Sequence, residues 1–198
     1  RCTARMLARA GANVLVSDMD GAEAEETVAQ IKAESDVKAL SMVCNVTSKA
    51  DIDRMVAAAL DAFGRIDILN HIAGVFGAVD FLEATEADYD KQLDINTKGT
   101  FFVDQAVLKA MIPNRAGKIV NMCSQAGKYG FPTNVAYTTS KFGVTGMTHD
   151  HNIDRAIVEA TKVPCIVAGG LDPENVAEAI HVAHPYGVDT CTRTNLPK

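Results

Sequence analysis

Residues 51–74 read DIDRMVAAALDAFGRIDILNHIAG, and this stretch decides the fold. Ile52, Met55, Val56, Ala59, Leu60 and Phe63 fall at i, i+3, i+4, i+7, i+8 and i+11, which gives a helix one apolar stripe. Ser48 and Asp51 open that helix, and Gly64 ends it. Ile66–Ala73 then reads as a short apolar strand. A helix leading directly into a buried strand is one step of a parallel sheet, since parallel neighbours need a crossover between them.

The alternation continues outward on both sides. Residues 2–10 predict a helix stopped by Gly11, and Val14-Leu15-Val16 a strand that ends at Ser17-Asp18. Asp20 with Glu23 resembles a capping box before a helix striped by Ala24, Val28 and Ile31, and residues 37–43 form the next strand. Beyond the opening stretch, Thr85 and Asp88 start one long helix towards Met111, with Pro113 past its end. Lys118–Met122 is a strand, and a Gly-rich loop leads to a helix from about Asn134 to about Ala160. Val163–Ala168 is a strand, Asp172-Pro173 opens a helix through Ala183, and Val188–Cys191 is the last strand. The class is therefore α/β, with an open, doubly wound, Rossmann-like parallel sheet covered on both faces. Chemistry in such sheets lies at the carboxyl ends of the strands, where Asp18, Asn45, Gly74 and Ser124 fall.

Composition narrows the function. Hydrophobic residues make up 47% of 198, as in an ordinary globular domain. Lys+Arg 19 against Asp+Glu 25 leaves a net charge of −6 with no basic block, which argues against nucleic acid and anionic membrane as partners. No apolar run approaches the roughly 20 residues of a membrane span. Arg1–Met6 reads as part of an amphipathic helix and not as a secretory signal. Cys2, Cys44, Cys123, Cys165 and Cys191 are scattered and odd in number, so neither a disulfide framework nor a thiolate zinc site is expected, and cytoplasm is the default location. His149, Asp150, His151 and Asp154 are not expected to form a metal site, since the first three are adjacent and cannot share one helix face; His181 with His184 can share a face but is read as solvated surface.

Tyr137 and Lys141 stand at i and i+4 and share a helix face. An ammonium beside a phenol favours the phenolate, drawing a pKa of about 10 towards working pH. Such a tyrosine takes a proton from an alcohol, or gives one to a carbonyl oxygen, as hydride moves. Ser124, at a strand end 13 residues before Tyr137, can hold the same substrate oxygen. A Tyr–Lys pair at this spacing is also common on ordinary surface helices.

The surrounding motifs tip that balance. Gly11-Ala12-Asn13-Val14 with Asp18, then Asn45-Val46-Thr47, Phe63-Gly64-Arg65-Ile66-Asp67-Ile68-Leu69 and Ala73-Gly74 occur in order. Asp94-Ile95-Asn96, Gly117–Asn121, Ser124 and Ala136–Lys141 follow. Over residues 1–147 the chain resembles the short-chain dehydrogenase/reductase family. The resemblance implies Tyr137 as acid/base, Lys141 tuning it and bonding the nicotinamide ribose, Ser124 orienting substrate, and Asn96 holding a relay water. It further implies a cofactor site at Asp18, Asn45, Val46, Ala73, Gly74, Tyr137 and Lys141, and an alcohol or carbonyl small molecule as substrate. Asp18 would meet the adenosine ribose and favour NAD over NADP by repelling a 2′-phosphate; the competing reading is an acid that caps the following helix. Assembly as a homo-oligomer is left open.

Three departures set further expectations. The family's first strand and Gly-rich phosphate turn would precede Arg1, so cofactor affinity is expected to be low and the sheet to lack its central strand. His71-Ile72-Ala73-Gly74 replaces the family's Asn-Asn-Ala-Gly, and Asn45 stands where an acid is usual. From residue 148 the chain instead resembles the end of phosphoribosylanthranilate isomerase, a (β/α)₈ barrel. That second resemblance implies Asp150 as a general acid and a phosphate at Gly169-Gly170; no residue matches the isomerase's cysteine base, and Arg193 replaces a glycine. A chimera of 1–147 and 148–198 is the expectation, with Val163–Ala168 pairing beside Lys118–Met122. The alternatives are a truncated or chimeric Rossmann-like protein without catalysis, and an isomerase-like phosphate-binding remnant.

Overall fold

The computed structural model describes residues 1–148, 166–168, 177, 180–181 and 187–189. The striped helix is there as α3, Lys49–Phe63, with Ile52 fully buried and Met55 and Ala59 buried beside it. Ser48 Oγ accepts from the Asp51 N–H and donates to Asp51 Oδ1, and Gly64 closes the helix in the left-handed region (φ 78°).

Before it come α1 (Cys2–Arg9), β1 (Val14–Asp18), α2 (Gly21–Glu34) and β2 (Ala39–Val43). After it come β3 (Ile68–His71), α4 (Glu86–Gln92), α5 (Gly99–Met111), β4 (Lys118–Asn121), α6 (Val135–Thr148), β5 (Ile166–Ala168) and β6 (Gly187–Asp189). Every ladder among the described residues is parallel. β1 runs beside β2 from Val14↔Ala39 to Asp18↔Val43, and β3 beside β4 from Ile68↔Lys118 to His71↔Asn121. No described strand joins these two ribbons. The core under them is built by Cys44, Ile52, Met55, Val103, Ala106, Val107 and Met111, with Leu69 and Ile119 of β3 and β4 packed on it. A second cluster, Ala8, Val14, Val28, Ile31 and Ala39, holds α1 and α2 to β1 and β2.

Four expectations are corrected. Ile166–Ala168 pairs with Gly187–Asp189, from Ile166↔Gly187 to Ala168↔Asp189, and not with β4. The two strands satisfy each other's hydrogen bonds, and the described residues between them, Ala177, Ile180 and His181, are helical. Asp20 does cap α2, accepting from the N–H groups of Ala22 and Glu23, but the reciprocal half of the box is missing because the Glu23 carboxylate turns to the Arg1 guanidinium. At Thr85 and Asp88 the box is complete. The long helix that they open is interrupted at Leu93–Lys98 by a π-helical segment, in which the Gly99 N–H reaches back five residues to Asp94 O. The strand expected at 66–73 shrinks to β3. Among the described residues no helix is long and apolar enough to cross a membrane.

Truncating Ile52 to Ala should cost about 3 kcal/mol in denaturant unfolding, because it leaves a cavity among helices that cannot close on it. Ser48→Ala should cost about 1 kcal/mol by loss of the cap. Met6→Ala, on an exposed surface, should stay within about 0.5 kcal/mol.

Candidate active site

β3 and β4 end side by side at His71 and Asn121, and the Met122 N–H extends the ladder by one bond to His71 O (2.9 Å). The Met122 carbonyl is left facing α6. Lys141 fills that need: its Nζ donates to Met122 O at 2.8 Å and lies 5.8 Å from the centre of the Tyr137 ring. Lys141 is only 5% exposed, and burial holds its pKa below the ordinary lysine value. The i,i+4 spacing thus brings the phenol and the ammonium together as the sequence predicts.

Ser124 follows two residues after that carbonyl. It caps a 3₁₀ turn at Gln125–Gly127, its Oγ accepting from the Ala126 N–H (3.2 Å), which leaves the hydroxyl proton to donate elsewhere. Cys123 Sγ lies 3.1 Å from Thr145 Oγ1 on α6. The loop at 122–124 therefore runs along the α6 face that carries Lys141, and Ser124 is not on the far side of the sheet. Phe76 meets the Tyr137 ring edge-on at 4.9 Å (83°).

Asn96 sits in the π segment and is 1% exposed. Its Oδ1 accepts from Val75 N (2.8 Å), and its Nδ2 donates to Val75 O (2.9 Å) and Ser140 Oγ (2.9 Å). The Ser140 hydroxyl in turn donates a hydrogen bond to Tyr137 O (2.7 Å). Gln92 adds to the clamp when its amide is turned so that the nitrogen faces Val75 O (3.0 Å) and the oxygen faces Gly77 N (3.1 Å), the orientation in which both atoms are paired. The Asn96 amide is committed to fastening the 75–77 loop to α6, so a relay water has at most its second Oδ1 lone pair. Gly143 permits the close approach: a Cβ there would stand 2.7 Å from Thr97 Cγ2.

The cofactor candidates divide by environment. Asp18 is exposed at the end of β1, and its Oδ1 accepts from the Asp20 N–H (3.0 Å), so part of the carboxylate braces the turn into α2. Asn45 Oδ1 accepts from Thr47 N (3.0 Å) and Thr47 Oγ1 (2.9 Å), which an acid would do equally. Val46 packs its side chain on the core and against Gly99, so it offers a ligand only backbone. Ala73 and Gly74 are exposed, and a Cβ on Gly74 would lie 3.0 Å from Asn96 Oδ1 and 3.7 Å from Lys141 Nζ. The absent side chain keeps the ground beside Lys141 open.

Sequence reasoning missed a third layer. His71 is 6% exposed, and burial together with the Lys141 charge lowers its pKa to about 4. Asn121 Nδ2 donates to Asp104 Oδ2 at 2.6 Å, and burial raises the pKa of Asp104 to about 6 despite that bond. Asp104 carries no local signal, since its partner lies 17 residues away on another element. His149, Asp150, His151, Asp154, Gly169, Gly170, Asp172, His184 and Arg193 lie outside the described residues; His181 is helical and exposed.

Comparison with known proteins supplies the family. The short chain dehydrogenase family model matches residues 1–182, past residue 147 where the motifs end. The chain is 38% identical over 167 residues to a (2S)-[(R)-hydroxy(phenyl)methyl]succinyl-CoA dehydrogenase subunit of Thauera aromatica, covering 84% of this chain and 66% of the relative. It is 37% identical over 176 residues to sorbitol dehydrogenase of Cereibacter sphaeroides, covering 88% and 67%. The chain thus spans about two thirds of the length of these relatives. Sorbitol-6-phosphate 2-dehydrogenase of Erwinia amylovora superposes with a TM-score of 0.75 at 28% identity, over 83% of this chain and 64% of that one. With its parallel α/β ribbons, its strand-end site and these matches, the chain belongs to the short-chain dehydrogenase family.

Proposed function

We propose that the chain carries the proton-transfer half of a nicotinamide-dependent alcohol–carbonyl oxidoreduction, with Tyr137 as acid/base. The observation that carries the reading is the Lys141 ammonium, held by Met122 O at a strand end and set against the Tyr137 ring. The Ser124 hydroxyl, spare as a donor, orients the substrate oxygen. Asn96 positions the loop beside Tyr137 through Val75 and Ser140.

A nicotinamide cofactor supplies or accepts the hydride. The open backbone at Ala73-Gly74 and the exposed Asp18 suit it, with Asn45 and Val46 offering backbone, and Tyr137 and Lys141 meeting the nicotinamide end. NAD is preferred over NADP, because the Asp18 carboxylate repels a 2′-phosphate. The substrate is a small alcohol or carbonyl compound, and cytoplasm is the proposed location. A second reading, a Rossmann-like protein that folds but binds cofactor weakly, rests on one observation: no described strand joins β1–β2 to β3–β4. Residues 148–198 are proposed as an appended β–α–β unit of isomerase-like origin, a reading that the self-contained β5–β6 ribbon supports.

Cofactor reduction by the chain with a panel of secondary alcohols tests the leading reading. Tyr137→Phe should lower kcat about 10²–10⁴-fold with the circular dichroism spectrum unchanged. A variant that keeps the parent rate removes Tyr137 from the mechanism, and a parent without cofactor binding in titration calorimetry favours the second reading.

Asp18→Ala should leave NAD affinity within a few-fold of the parent while raising NADP affinity, so that the selectivity narrows. Equal affinities for both cofactors in both proteins would assign Asp18 to the turn alone.

A further inference from the structure

Three buried polar atoms under the ends of β3 and β4 lack a hydrogen-bond partner: His71 Nε2, Asn121 Oδ1 and Asp104 Oδ1. They belong to one cluster. His71 and Asn121 are register partners in a parallel ladder, so their side chains leave the same face of the ribbon side by side, roughly 5 Å apart. Asn121 reaches Asp104 on α5 through its Nδ2. An unpaired buried acceptor is costly, and here two sit on the two members of one pair. What the pair lacks is a single donor.

We propose that Asp104 is carried as the neutral carboxylic acid, its Oδ1–H donating to Asn121 Oδ1 while Asn121 Nδ2 donates to Asp104 Oδ2, and that this closed acid–amide pair is a positioning device for Lys141. The connection is short. Asn121 is the last residue of β4, and the next carbonyl, Met122 O, is the one that holds the Lys141 ammonium. Loss of the Asp104 proton to solvent leaves a buried carboxylate with two acceptor oxygens facing one amide N–H and one amide oxygen. The pair then opens, and the end of β4 is no longer fixed from below. His71 stays uncharged beside Lys141, so the cluster places no second cation there. Among the described residues, Lys141 on α6 is the charged group acting on His71, and the forces that set Asp104 are burial and the Asn121 bond. The inference stands on the strand-end geometry and holds whether or not Tyr137 transfers a proton.

The sign of the pH effect follows from the direction of the Asp104 shift. The folded chain holds this proton more tightly than the unfolded chain, whose carboxyl titrates near 3.8. The stability it contributes is complete below that value and is lost as pH rises through about 6. In the ¹³C-labelled chain, the Asp104 carboxyl resonance should titrate near 6, and the Lys141 ¹³Cε resonance should step with the same midpoint. Asp104→Asn supplies the missing donor permanently, so the Lys141 step should vanish there. The difference in unfolding free energy between parent and variant should then drift against the parent from pH 4 to 7. A carboxyl that titrates near 3.8, or a Lys141 resonance that takes no step at the Asp104 midpoint, overturns the proposal. Should Asp104→Asn fail to fold, the two titrations of the parent decide the matter alone.

Discussion

A buried ammonium is expensive unless it is hydrogen-bonded, and the site of this protein is organised around meeting that cost. Lys141 lies almost wholly out of water, and the partner that it has on the sheet is one backbone carbonyl, Met122 O. That carbonyl is available because β4 ends at Asn121, and it is fixed in place because the Met122 N–H is still paired with β3. α6 therefore cannot slide along the ribbon without stranding a charge. The position of Tyr137, one turn earlier on the same helix, follows from this single contact.

The second layer serves the same end by neutral means. Asn96 joins the loop after β3 to α6, using both amide protons and its oxygen, and Ser140 carries the bond on to the Tyr137 backbone. The π segment is what lets Asn96 point there, since one extra residue per turn rotates its side chain relative to an unbroken helix. Buried polar networks of this kind are worth having only when each member is satisfied, and Asn96 meets that condition. The Asn121–Asp104 pair meets it only with a proton on the acid.

Local signals made most of the scaffold legible. Asp20, Ser48 and Thr85 cap the helices that they were expected to cap, and Gly64 stops α3, because a cap is decided by a side chain and backbone within three residues of each other. The Tyr137–Lys141 face was legible for the same reason. The π segment was not, because nothing near Leu93–Lys98 announces it; the partners that stabilise it, Val75 and Ser140, are 21 and 44 residues from Asn96. The pairing of Ile166–Ala168 was misjudged because strand pairing is settled by competition between edges, and the edge offered by Gly187–Asp189 is closer along the chain.

By itself the sequence determined the alternation of strands and helices, the parallel α/β class and the helix face that Tyr137 and Lys141 share, since these depend on periodicity and on spacing along the chain. Only the tertiary structure decided that Lys141 is held by Met122 O, that Asn96 is spent on a clamp, and that His71, Asn121 and Asp104 share one buried layer. Contacts of that kind rest on desolvation and on register between distant strands. Burial is a property of the packed whole, so no window of sequence carries it.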